Sequence, residues 1–280
     1  MRTPSARTVG TVRRTAETQV ALRLAREAAL LIRTTARPRR VLRLKSSAYD
    51  LLTATDLKVE KLVRRGLSSA FPAHAVIGEE GNGSSPFDIQ QPTWFVDPVD
   101  GTTNYFLGLP LVASNIAFCD EGQVQTGVTA DVMRLRTYWA QRGCGAWLGR
   151  TRLSVSTAAR LDGAVLSTGF PYTRATSDDN NLPEASRLIP RIRDVRRFGC
   201  AGLDMAWVAS GLLDGYWEQQ DGPWDWAAGA LLVREAGGRV TTYDGDDWVP
   251  GDLTLVASNG RIHDQLLEEI NEARHTVFAQ

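Results

Sequence analysis

The chain has no excess charge of either sign, few cysteines, few histidines and no long apolar run. Its 280 residues carry 32 lysines and arginines against 32 aspartates and glutamates. No overall field therefore steers it toward nucleic acid or an anionic bilayer, and neither is expected as a partner; any charged ligand must be held by local groups. The three cysteines, Cys119, Cys144 and Cys200, are odd in number and far apart. They lack the spacing of a zinc site or a C-x-x-C redox pair and read as reduced core thiols of a cytoplasmic protein. His74, His263 and His275 stand isolated, so none is taken as catalytic. The best membrane candidate, Val20 to Ile32, is broken by Arg23, Arg26 and Glu27. It is shorter than the roughly 20 apolar residues a span needs and reads as an amphipathic helix. Residues 1–14 are basic and threonine-rich, lack the apolar stretch of a secretory signal, and read as a flexible tail.

With 43% apolar residues, the rest can bury a sizeable core. Alanine, leucine and arginine from about Thr15 to Thr35 suit a long helix that ends before Pro38. Thr55 is expected to cap a second helix, with Asp56 in its first turn, Leu62, Val63 and Leu67 on one face, and Pro72 beyond its end. "AVIGEE" and "TWFVDP" are short apolar runs that end in acids, separated by the loop "GNGSSP". Between Leu111 and Leu148, turn signals at Asp120-Glu121-Gly122 and Arg142-Gly143 divide an antiparallel meander. The second half alternates strand and helix down to "GRIHDQLLEEINEAR". The pattern predicts an N-terminal α+β lobe over 15–155 and a C-terminal α/β lobe over 156–280.

The chemistry concentrates in "WFVDPVDGTTNYF", Trp94 to Phe106. Asp97 and Asp100 flank Pro98, whose fixed φ and missing N–H set a turn that aims both carboxylates into one space. Like charges so close repel unless a cation lies between them, and carboxylate oxygens favour hard cations such as Mg²⁺. The Val99 carbonyl is a further candidate ligand. Gly101, Thr102 and Thr103 then offer a close backbone approach and hydroxyls to the oxygens of an anion. Glu79 and Glu80 in "GEE" and Asp225 in "PWDWAAG" are three more acids; singly, each also suits an exposed surface or a helix start.

Together "GEE", "DPVDGTTNY" and "PWDWAAGALLVREAGG", in this order and spacing, resemble the inositol monophosphatase family of magnesium-dependent, lithium-sensitive phosphatases. "KSSAYDLLTATDLKVEKL" also looks like the family's stretch before the first metal ligand. The resemblance implies a layered α/β fold of alternating helices and sheets, a small phosphorylated substrate, two or three Mg²⁺ ions per active site and a homodimer. It implies that Glu79, Asp97 and the Val99 carbonyl hold one Mg²⁺, and that Asp97, Asp100 and Asp225 hold a second. Gly101 and Thr102 would bind phosphate through backbone N–H groups. Thr102 and Glu79 would activate water, with Asp56 as an outer acid nearby and Glu80 as a supporting neighbour. Asp100, Gly199, Ala201 and Glu218 would contact the substrate, Glu218 accepting bonds from its hydroxyls.

Several readings stay open. Glu218 is alternatively an edge-strand carboxylate in solvent. Inositol 1-phosphate is the expected substrate, with fructose 1,6-bisphosphatase and histidinol-phosphatase activities as alternatives on the same scaffold; Tyr172 and Arg174 lie in a loop able to change specificity. A non-catalytic phosphate-binding module is the competing class. "YDGDDWVPGD" lacks the spacing of an EF-hand and reads as an acidic hairpin turn. The eight tryptophans suit core or interface packing rather than a base-stacking platform.

Overall fold

The computed structural model describes residues 13–35, 43–45, 51–81, 86–219 and 222–278. Most of the expected tail, the Pro38 break, residues 46–50 of the "KSSAYD" stretch, the centre of the "GNGSSP" loop, Gln220 and Asp221 lie outside the described residues.

Helix α1 (Ala16–Thr34) starts where Thr15 caps the Thr18 N–H with its side chain. Its buried Ala21, Leu24, Ala25, Ala28 and Ile32 repeat every three to four residues and form one apolar stripe. A short antiparallel pair, β1 (Arg43–Leu44) and β2 (Leu51–Leu52), precedes α2 (Ala54–Ala70). Here the cap is Thr53 and not Thr55. Thr53 accepts the Thr55 N–H, while Asp56 folds back onto the Thr53 N–H at 3.0 Å, closing a reciprocal capping box. Asp56 occupies the first turn as expected, and Val63 and Leu67 are buried.

The first sheet has the order β3 (Ala75–Gly78), β4 (Thr93–Asp100), β5 (Ala113–Asp120), β6 (Gln123–Asp131), β7 (Arg136–Gln141), β8 (Ala146–Leu148), β9 (Thr151–Arg152). Only β3 and β4 are parallel; the rest form the expected meander. Between β4 and β5 lies α3 (Thr102–Leu107). The second half supplies β10 (Val165–Thr168), α4 (Leu182–Leu188), β11 (Asp194–Arg196), α5 (Ala201–Ala209), β12 (Gly215–Gln219), α6 (Pro223–Glu235), β13 (Arg239–Thr241), β14 (Thr254–Ser258) and α7 (His263–Phe278). Its sheet runs β11-β10-β12-β14-β13, with β11, β10 and β12 parallel.

The elements stack in layers. α1 and α2 cover one face of the first sheet, α5 and α6 fill the space between the two sheets, and α4 and α7 cover the far side of the second. α6 is almost wholly apolar, as a helix between two sheets must be. Trp226 on α6 meets Trp248 edge-on at 6.2 Å in this middle layer, both fully buried. Each such side chain contributes about 5 kcal/mol gross, from about 200 Å² at about 25 cal/mol per Å². Trp94, Trp139, Trp147 and Trp217 are also buried, so six of the eight tryptophans are core residues, with Trp207 and Trp224 partly exposed at its edge.

Candidate active site

β4 leaves the sheet at its aspartates. Its register with β5 shifts between Asp97 and Asp100, a bulge at Pro98, which has no N–H to give the ladder. Both acids thus belong to the last turn of strand rather than following it. Asp97 Oδ1 accepts the Val99 N–H at 3.0 Å, which fixes the carboxylate against its own backbone. Gly101 then takes φ +86°, and a Cβ there would sit 2.7 Å from the Leu111 carbonyl oxygen and 3.1 Å from that of Gly199. Only glycine fits this turn.

The turn gathers negative charge. The Glu79 N–H donates to the Val96 carbonyl at 3.1 Å, which sets Glu79 beside the end of β4. Asp97 is 1% exposed. Burial pushes its carboxyl well above the usual carboxylate range, and the charges of Glu79, Asp100 and Asp225 push further in the same direction. Asp100 is also raised by burial, against the N–H of Gly202 at 2.7 Å and the Asn115 amide at 3.0 Å. Asp225, three residues into α6, accepts the Gly222 N–H at 2.9 Å. The facing positive charge is Lys45, whose Nζ lies 2.5 Å from Glu79 and 3.1 Å from Glu80. Glu80 is raised to about 8, chiefly by burial and then by Glu79, with Lys45 opposing.

As the side chains stand, no three or more His, Cys, Asp or Glu side chains among the described residues close into an ion cage. The donor set nonetheless suits a small divalent cation. All its donors are oxygens, and four carboxylates raise one another's electrostatic energy around a buried Asp97, a cost that a hard dication relieves.

Beside the acids, the Thr102 hydroxyl lies 2.9 Å from the Val99 carbonyl and 3.1 Å from Asp56 Oδ1, and its proton serves both acceptors. The other Asp56 oxygen is held by the Thr53 N–H and hydroxyl. Burial raises the Asp56 carboxyl, with the Thr53 hydrogen bond opposing. No hydrogen-bond acceptor is found among the described residues for the N–H groups of Gly101 and Thr102, at the start of α3.

Gly199 and Ala201 reach this turn from the second half. Asn104 on α3 donates to the carbonyls of Leu111, Phe198 and Gly199 at 2.9, 2.8 and 3.1 Å, and the Gly202 N–H joins α5 to Asp100. Glu218 sits at the end of β12, a central strand, and is buried; the reading of an exposed edge-strand carboxylate is overturned. It accepts the Tyr216 hydroxyl and lies against Gly169. No described contact joins it to the four acids.

Three residues went unrecognised in the sequence. Lys45 opens the "KSS" stretch, but nothing local says that it reaches Glu79. Glu60 accepts the Glu80 N–H at 2.8 Å and pairs with Arg64, whose other nitrogen donates to the Val76 carbonyl, so α2 fixes the "GEE" turn. Asn104 fastens the phosphate turn to Gly199; its place directly after Gly-Thr-Thr was the available signal. The three histidines play no part in this cluster, and all three cysteines are free thiols.

A model of the inositol monophosphatase family matches residues 14–276. The chain is 39% identical to an inositol-1-monophosphatase of Caulobacter vibrioides over 82% of its length and 90% of that protein's. It is 38% identical to the Nus factor SuhB of Pseudomonas aeruginosa over 90% of its length and 94% of that protein's. Among solved structures it resembles the IMPase of Thermotoga maritima with a TM-score of 0.82 at 30% identity, covering 94% of this chain and 99% of that one.

Proposed function

The chain belongs to the inositol monophosphatase family and is a phosphoric monoester hydrolase; from that premise we propose that it is Mg²⁺-dependent and hydrolyses inositol 1-phosphate to inositol and phosphate. The observation that carries the reading is the buried Asp97 under the combined charge of Glu79, Asp100 and Asp225, directly before the left-handed Gly101 turn that opens α3. Against the non-catalytic alternative, the chain keeps every matched acid together with Thr102, which a binding module has no need to retain. The Nus factor relatives are comparably similar, so a relative's name alone selects no further role for this chain.

In this reading Glu79, Asp97 and the Val99 carbonyl hold one ion, Asp97, Asp100 and Asp225 hold a second, and a third is compatible with the two or three ions expected. Bound Mg²⁺ supplies charge neutralisation on the phosphoryl oxygens, an acidified water and stabilisation of the departing alkoxide. The chain's own residues do the positioning. Gly101 and Thr102 direct their N–H groups at phosphate oxygens. Asp56 aims the Thr102 hydroxyl, which with Glu79 orients the water for in-line attack and would receive its proton while passing its own to Asp56 Oδ1. Glu80 supports Glu79 through the shared Lys45. Asp100, Gly199 and Ala201 line the substrate side, and Glu218 accepts bonds from its hydroxyls. Among the described residues no Ser or Cys paired with a His stands at the cluster, so direct hydrolysis is favoured over a covalent intermediate.

We place the lobe boundary near residue 155, with most metal ligands before it and the substrate-selecting residues and Asp225 after it. Lithium inhibition, a homodimer and a cytoplasmic location follow from the same reading. No described helix is long and apolar enough to cross a membrane.

The test is phosphate release with and without Mg²⁺ on inositol 1-phosphate, fructose 1,6-bisphosphate, histidinol phosphate and adenosine 3',5'-bisphosphate, repeated with Li⁺. Inositol 1-phosphate is expected to rank first. A different leading substrate overturns the inositol assignment, and equal turnover in chelator overturns the metal dependence.

A further inference from the structure

The segment Phe170–Asn180 leaves the end of β10 and returns into α4, and both of its ends are fastened to the strand that carries Glu218. At the first end, the Gly169 backbone lies so close to the Glu218 carboxylate that a Cβ would overlap it. At the second end, Asn181 is fully buried with φ +66°, a left-handed conformation that asparagine tolerates. Its amide nitrogen donates to Thr168 Oγ1 at 2.8 Å and to the Gly169 carbonyl at 2.6 Å. Its amide oxygen accepts from Trp217 Nε1 at 2.8 Å and the Tyr243 hydroxyl at 3.3 Å. Four bonds use the whole capacity of the side chain.

A second fastening comes from α7. Arg274 Nη1 lies 2.8 Å from Asp179, 2.9 Å from Glu184 and 3.1 Å from the side-chain oxygen of Gln219, the neighbour of Glu218. Nη2 returns to Asp179 at 3.4 Å, and the guanidinium stands 5.5 Å from the Tyr243 ring centre. Glu184 is fully buried, so the fork neutralises an acid that water does not reach. The planar guanidinium reaches three acceptors at once, which the point charge of a lysine does not. α7 is already seated by Leu266, Leu267 and Ile270, so the helix does not need Arg274 for its docking.

We propose that Arg274 is a positioning residue for substrate selection: by gripping Asp179, Glu184 and Gln219 together, it fixes the Phe170–Asn180 loop as a wall beside Glu218. The inference rests on the reading of Glu218 as the acceptor for substrate hydroxyls. With the grip lost, the end of β12 and the loop part, and a hydroxyl-bearing substrate loses affinity while phosphate chemistry at Asp97 proceeds.

The experiment compares Arg274→Gln, Arg274→Lys, Asp179→Asn and Glu218→Gln on inositol 1-phosphate and on p-nitrophenyl phosphate, which offers Glu218 no hydroxyl. KM for inositol 1-phosphate is expected to rise about tenfold in Arg274→Gln, equivalent to about 1.4 kcal/mol. kcat should stay within about twofold, and p-nitrophenyl phosphate turnover should be unchanged. Asp179→Asn, at a partly exposed acid, should give a smaller rise, and Arg274→Lys should recover part of the loss. Equal losses on both substrates, or none on either, overturn the proposal. If Arg274→Gln does not fold, Asp179→Asn and Arg274→Lys decide by the same criterion. Should Glu218→Gln leave the substrate preference intact, the Glu218 reading fails and the proposal with it. A shift in Glu218→Gln without one in the Arg274 and Asp179 variants removes the positioning role alone.

Discussion

Acid should weaken this protein through one histidine far from the carboxylate cluster. His263, the first residue of α7, is fully buried. Its Nε2 meets Thr241 Oγ1 at 3.0 Å and its Nδ1 meets Ser258 Oγ at 2.9 Å. The Thr241 proton goes to the Thr242 carbonyl at 2.8 Å, so Nε2 is the donor and Nδ1 accepts from Ser258. A proton on Nδ1 would break that arrangement. Burial, then the nearby Arg239, hold the imidazole down from 6.5 to about 4, with Asp264 opposing. The folded state therefore binds the proton more weakly than the unfolded chain, and the neutral form's stability is lost as pH falls from 6.5 toward 4. At about 1.4 kcal/mol per tenfold change in proton affinity, the fall from 6.5 to about 4 is worth about 3.5 kcal/mol in full, of which about 3 kcal/mol is lost by pH 4. Urea unfolding followed by tryptophan fluorescence, at steps from pH 7.5 to 4, should show this loss on top of the general acid response. In His263→Gln, whose amide offers one donor and one acceptor to the same hydroxyls, the histidine's share disappears. The stability difference between the two proteins should close by about 3 kcal/mol over that window. Parallel stability curves refute the reasoning.

Other substitutions probe the site itself. Asp97→Asn should lower Mg²⁺-dependent phosphate release by more than about 100-fold, because even residues that merely orient a metal ligand cost about 10–100-fold. Measured in chelator, the same variant should melt above the wild type, since a buried carboxylate facing three others has been neutralised; a lower melting temperature counts against the charge cluster. Thr102→Val should reduce kcat by about 10²- to 10⁴-fold, the usual worth of a proton-transfer partner, while Thr102→Ser keeps most of it. Activity retained in the valine variant removes Thr102 from the mechanism. Thr53→Ala should cost about 1 kcal/mol in unfolding experiments by loss of the α2 cap. It should also reduce kcat, because Asp56 loses the hydroxyl that holds it; a drop in stability with kcat intact separates the cap from the catalysis.

Much of the fold was legible because its causes are short-ranged. The 3.6-residue stripe of α1, the period of the meander, the turn signals at Gly122 and Gly143 and the glycine stop after α6 each act within one or two turns of chain. The cap of α2 was misplaced by two residues because threonines stand at both 53 and 55. Only the backbone conformation reveals which one precedes the helix and receives Asp56 in return. The three-residue spacing from Asp97 to Asp100 likewise announced a charge cluster, while the bulge that holds both inside β4 depended on pairing with β5.

By itself, then, the sequence determined the element types, the acids that repel one another and the glycine turn beside them, since these follow from neighbours along the chain. The layer stacking decided the rest. It joins Lys45 to Glu79 across 34 positions, Thr102 to Asp56 across 46 and Arg274 to Asp179 across 95. It also removed the solvent-facing alternative for Glu218, the expected substrate contact, by burying it on a central strand. No periodicity or spacing encodes such contacts, because they arise only when whole helices and sheets bury their apolar faces against one another and bring polar side chains along.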